Sequence, residues 1–110
     1  MSEISTPPHA AGMEKSVLSS MLQDPTEYIP RAIELGLTPD RFYLPSHARL
    51  MRILLEKQKR GQVVELIDLT QELIDTDQLE GLGGPAATTE IYTYAPTGAH
   101  FDSHAGIILE

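Results

Sequence analysis

PSHARLMRILLEKQKRG, residues 45–61, is the stretch from which the rest of the chain can be read. Leu50, Met51, Leu54 and Leu55 recur at helical spacing, with His47 one turn upstream on the same side. This pattern predicts a helix of about 15 residues with one apolar face. Pro45 suits the first turn, where its missing N–H costs nothing, and Ser46 is tolerated beside it. Lys57, Lys59 and Arg60 crowd the last turn, where cations meet the negative end of the helix dipole. Gly61 then supplies the left-handed residue that ends it.

Upstream of this helix, Phe42 and Tyr43 are expected in a short turn, with Phe42 as a core anchor. Thr38-Pro39-Asp40 and Asp24-Pro25-Thr26-Glu27 each place a capping residue before a proline. The second pair adds Glu three residues after the cap, and so predicts a helix start at Asp24. Pro30 should break that helix, because its ring would clash with the carbonyl four residues back. One turn, a kink and a second piece from Pro30 to Leu35, ended by Gly36, are the expectation. Met13, Val17, Leu18, Met21 and Leu22 predict an amphipathic helix over about residues 10–23. Residues 1–9, with Pro7-Pro8, are expected to be a flexible arm before a helical domain over residues 10–110.

Downstream, Leu66, Leu69, Leu73 and Ile74 fall at helical spacing, with Asp68, Glu72 and Asp75 on the polar side. The like charges of Asp68 and Glu72, four residues apart, cost such a helix a few tenths of a kcal/mol, about 0.2–0.5. Leu79 and Leu82 plug a turn region holding Gly81, Gly83 and Gly84. A helix from Pro85 to about Tyr94 should turn Ala87, Ile91 and one of Tyr92 or Tyr94 inward. Pro96-Thr97-Gly98 breaks it, and a last helix from Ala99 sets Phe101, Ala105 and Ile108 on one face. The fold class is therefore all-α: a compact bundle of five to seven short helices around a central helix at about residues 45–60.

A chain of 110 residues is expected to be one domain with a single core. There is no cysteine, which excludes disulfides, thiolate metal sites and cysteine nucleophiles. No apolar run approaches the roughly 18 residues needed to span a bilayer, and no signal peptide is evident, so a soluble cytoplasmic protein is expected. The net charge of −8 is unevenly spread. All eight Lys and Arg lie in residues 1–60 beside seven acids, whereas residues 61–110 hold nine acids and neither Lys nor Arg. An acidic half repels phosphate backbones, so no direct grip on nucleic acid is expected, and a basic protein face is the better partner.

No catalytic constellation is apparent. The glycines at 81, 83 and 84 lack the Lys-Ser or Lys-Thr of a phosphate-binding loop. His100 and His104, four residues apart with Asp102 between them, can share a helix face as metal ligands require. They lack the Glu of the zinc-protease signature and a third ligand at fixed spacing, so no metal site is assigned. His47 reads as a hydrogen-bonded histidine at the core's edge. The acids of residues 65–75 are solvated on one helix, with no desolvation to split their pKa values for acid–base work.

The order of motifs resembles the N-terminal domain of the bacterial replicative DNA helicase, the DnaB family. It is carried by Pro7-Pro8-His9, Met13-Glu14-Lys15-Ser16-Val17-Leu18, Asp40-Arg41-Phe42-Tyr43 and His47. It continues through Gly61-Gln62-Val63-Val64-Glu65-Leu66, Gln78-Leu79-Glu80 with Gly83-Gly84, and Pro96-Thr97-Gly98-Ala99. Where the family usually has Pro-Val-Asp after the central helix, this chain has Val63-Val64-Glu65, losing the proline and the better cap. The resemblance implies a helical head that precedes a linker and a RecA-like motor. Such heads pair within a six-membered ring and dock primase, and a helicase loader is a further partner. ATP and magnesium would belong to the motor, leaving no cofactor for this chain. A stand-alone adaptor of the same fold is the alternative: a helicase loader, an inhibitor, or the helicase-binding domain of a primase. The residues expected to meet a partner are Glu65, Asp68, Glu72 and Asp75, with Tyr92 and Tyr94 as contact anchors.

Overall fold

A computed structural model describes residues 8–110 of the chain. Helix α1 spans Pro8–Gln23, α2 Pro25–Leu35, α3 Pro45–Lys59, α4 Leu66–Asp75, α5 Ala87–Tyr92 and α6 Phe101–Ile108. Single 3₁₀ turns, Pro39–Arg41 and Glu80–Leu82, precede α3 and α5. No strand occurs among the described residues, so the all-α reading holds. No helix among them is long and apolar enough to cross a membrane. Of the arm expected over residues 1–9, residues 1–7 lie outside the described residues, and Pro8 already opens α1.

Helix α3 forms where its stripe and signals place it, with Leu50, Met51 and Leu54 fully buried. Gly61 takes a left-handed φ of 69°, and Gln62 N–H donates back to the Lys57 carbonyl, closing the helix. Helix α1 shares the centre with it. Val17, Leu18 and Met21 are fully buried, and α1 packs against α2, α3, α5 and α6. Phe42 is buried in the same core, as its place before α3 suggested.

The break expected at Pro30 does not occur. Helix α2 continues from Pro25 to Leu35, with Asp24 accepting the Glu27 N–H as its cap. Pro30 lies in the second turn, so the bond it cannot make would have gone to the carbonyl of Thr26, four residues back. Thr26 is exposed, so water can satisfy that carbonyl, and the loss does not end the helix. At the far end Gly36, φ 82°, stops α2 as expected, with Leu37 N–H donating to Ala32.

The loop before α6 shows how closely the layers approach. Gly98 faces Tyr28 so tightly that a Cβ there would stand 2.1 Å from the tyrosine oxygen. Tyr28 in turn leans on Phe101, with ring centroids 4.8 Å apart, joining α2 to α6. Across the same seam Arg31 donates two hydrogen bonds to Asp102, at 2.8 and 3.1 Å.

Candidate interaction surface

The residues singled out as partner contacts divide between α4 and the segment around α5. Glu65 is the N-cap of α4, and its Oε1 accepts the Asp68 N–H at 2.9 Å. The longer side chain thus does what Asp would do at a helix start. Asp68 follows in the first turn, where an acid faces the positive end of the dipole, and it is exposed. Asp75, at the other end, accepts a hydrogen bond from Gln71 at 2.9 Å and is also exposed.

Glu72 corrects one expectation. Counted along the chain, the acids of residues 65–80 have no basic neighbour; in space Lys57 of α3 reaches Glu72, with Nζ 2.5 Å from Oε1. One charge of the acidic face is therefore compensated from the neighbouring helix. Ile74 is the second correction. Its spacing predicts a place in the inner stripe with Leu69 and Leu73, and it is 52% exposed. One residue is a step of about 100° around a helix, enough to carry Ile74 off the stripe that Leu73 continues.

Helix α4 consequently has three faces. Leu69 and Leu73 are buried, with Leu66 and Thr70 half-buried on the same side. Thr70 shares a hydrogen bond of 2.8 Å with buried Thr88 of α5, fixing the helix against its neighbour. Asp68, Glu72 and Asp75 form a charged ridge. Between ridge and core, Ile67 and Ile74 point outward, seven residues apart, and Val63 precedes them in the approach to the helix. The periodicity contained this outer stripe, since positions 67 and 74 repeat over two turns out of phase with 69 and 73.

The two tyrosines do not belong to that face. Tyr92 is half-buried against the core, and its carbonyl accepts from Ser19 at 3.0 Å and from Gln23 at 2.6 Å. Tyr94 is exposed and lies over α1, with Lys15 Nζ 4.8 Å from its ring centroid. Its hydroxyl sits against Gly12, where a Cβ would come within 3.0 Å.

The histidines are tied to structure. His47 is buried, and its Nδ1 lies 2.8 Å from Oε1 of Glu14 on α1. Glu14 is itself buried, and it also accepts the backbone N–H groups of Tyr43 at 2.5 Å and Leu44 at 3.3 Å. Leu44 is the N-cap of α3 and has no capping side chain, and a carboxylate from another helix satisfies its own N–H. Nothing near Glu14 in sequence signals this, because its partners are some thirty residues away. His100 precedes α6 and stacks on His104, with centroids 5.7 Å apart, while His104 Nδ1 shares a 3.1 Å hydrogen bond with Ser16. Asp102, expected near them, turns to Arg31, whose hydrogen bonds hold its carboxyl below the usual carboxylate range. Among the described residues no three His, Asp or Glu side chains converge as metal ligands.

Comparison with known proteins agrees with this geometry. A family model described as the DnaB-like helicase N terminal domain matches residues 6–110. The chain is 38% identical to a replicative DNA helicase DnaB of Rhodothermus marinus over 104 residues, which is 94% of this chain and 11% of that protein. It is 34% identical to that of Geobacillus stearothermophilus, again over 94% of this chain and over 22% of the relative. It therefore spans about a ninth of the length of one and just over a fifth of the other. The fold superposes on the crystal structure of the N-terminal domain of DnaB helicase from Mycobacterium tuberculosis with a TM-score of 0.80 at 28% identity. That match covers 94% of this chain and 70% of that one.

Proposed function

The chain belongs to the DnaB-like helicase N-terminal domain family, and from that premise we propose that it is a non-catalytic interaction domain. In this reading it supports pairing of subunits in a hexameric ring and docks primase during DNA replication. The observation that carries the proposal is the exposed outer surface of α4, where Asp68 and Asp75 flank the exposed Ile67 and Ile74 on a family member's head. Such a surface suits protein contact: acids steer a basic partner, and exposed apolar side chains supply burial once it arrives. ATP and magnesium would act at a RecA-like motor following this domain, in a cytoplasmic protein. A helicase loader is a further candidate partner.

The test is a calorimetric titration of the chain with primase, beside sedimentation of the chain alone and joined to its motor. Saturable, salt-sensitive primase binding and a hexamer that loses its order when the head is removed are the expected results. A full-length protein that binds primase and assembles equally well without these residues would overturn the proposal.

A further inference from the structure

The outer stripe of α4 is more than an incidental patch. Val63 is 87% exposed and Ile67 74%, the two most exposed large apolar side chains among the described residues, and Ile74 is 52% exposed. Scattered surface apolar residues need no explanation, but Ile67 and Ile74 lie on one face of α4. Ile67 and Ile74 are two helical turns apart, about 10 Å along the axis, which is the heptad repeat that a second helix meets with its own seam. Asp68 and Asp75 each follow one of these isoleucines, so both carboxylates stand on the same flank of the stripe.

We propose that the stripe formed by Ile67 and Ile74 seats a basic amphipathic helix belonging to a partner protein. The proposal rests on the docking role put forward above and specifies the chemistry of the docked segment: an apolar seam with Lys or Arg along one edge. Charge selects this occupant over a second copy of the chain. An antiparallel α4–α4 pair would bring Asp68 and Asp75 against the same acids, and like charges so placed cost several kcal/mol, roughly 2 or more; a parallel pair would set them against the opposite flank of a helix that holds no Lys or Arg. The basic side of α3, with Arg49, Arg52 and Arg60, is no better a mate, because no large apolar side chain is exposed along it. Residues 61–110 contain neither Lys nor Arg, so neutralisation of this flank by a partner meets no competition from that half of the chain.

The experiment uses the full chain and a synthetic helix with a leucine seam edged by lysines. Two controls accompany it: the same peptide with the leucines changed to serine, and one with the lysines changed to glutamate. The leucine–lysine peptide should bind, protect α4 amides from exchange, and weaken as salt rises. The paired substitution Ile67→Ser and Ile74→Ser should reduce its affinity about tenfold or more, while Ile33→Ser, an exposed apolar change on α2, should leave it unaltered. Equal binding of the serine-seam peptide would reduce the contact to charge alone and overturn the proposal. So would an undiminished affinity in the isoleucine pair, protection on another helix, or self-association abolished by the same two changes. Primase that binds the wild type and the isoleucine pair equally would also sink it while leaving the docking function standing. Failure of primase to bind at all, with the peptide result intact, would do the reverse.

Discussion

On α1 the carboxylate of Glu14 is 2% exposed and meets three donors, whereas on α4 the carboxylates of Asp68 and Asp75 stand in solvent. Both helices are amphipathic, and both carry acids. The difference lies in what surrounds the acid. Glu14 arrives beside the uncapped N-terminus of α3, where Tyr43, Leu44 and His47 offer hydrogen bonds that offset the loss of water. The acids of α4 face outward, with Glu72 alone drawing a base from another element. One region uses charge to fix the interior and the other leaves charge in solvent.

If that contrast is right, the largest effect comes from Glu14→Ala. It leaves two backbone donors and a buried imidazole without their acceptor, and should cost about 3–5 kcal/mol, as breaking a buried pair from one side does. Chemical denaturation measures it, and a double-mutant cycle with His47→Ala should show coupling between the two residues. A loss below about 1 kcal/mol would place Glu14 among the surface acids and erase the comparison. Next comes Leu54→Ala, in the fully buried stripe of α3. Lost burial and the cavity should together cost about 2–5 kcal/mol, seen as a lowered denaturation midpoint.

Much of this division was legible in the residues. The stripe of α3, its closure at Gly61, and the caps at Asp24 and Gly36 are local signals, and each operates as read. The departures arise where the answer depends on space. Pro30 stays inside α2 because of where it falls relative to the helix start and because Thr26 is wet. Lys57 and Glu72 are fifteen residues apart, so counting charges along the chain separated a pair that the fold joins. Glu14 has no local mark of burial, since the groups that satisfy it come from the turn before α3. Ile74 is apolar like Leu73 but stands one residue out of phase with the buried face. Tyr92 and Tyr94 follow the acids in sequence, yet Tyr92 packs against the core and Tyr94 lies against Lys15 of α1.

On the outer side of α4 the stability effects should be small. Ile67→Ser removes no buried contact, because three quarters of the residue is already in solvent. The midpoint should move by no more than about 0.5 kcal/mol. A loss comparable to that of Leu54→Ala would show that the stripe is covered within the fold and is not available to a partner.

The smallest effect on stability, and the most informative for function, is the double reversal Asp68→Lys with Asp75→Lys. Glu72 is a poorer choice, because reversing it also places two cations together at Lys57. Asp68 lies in the first turn of α4, where a cation opposes the dipole, and Asp75 lies in the last turn, where a cation complements it. Each such term is about 0.3–1 kcal/mol at a surface and the two have opposite signs, so the melting temperature should scarcely change. Association with a basic partner should behave differently. The reversal removes the attraction that steers encounter, so the on-rate should fall and its salt dependence should flatten, with dissociation less affected. Stopped-flow association at low and high salt, run beside thermal melts of both proteins, separates these outcomes. If on-rate and salt slope are unchanged while stability holds, the acids of α4 serve solubility and the partner approaches another face.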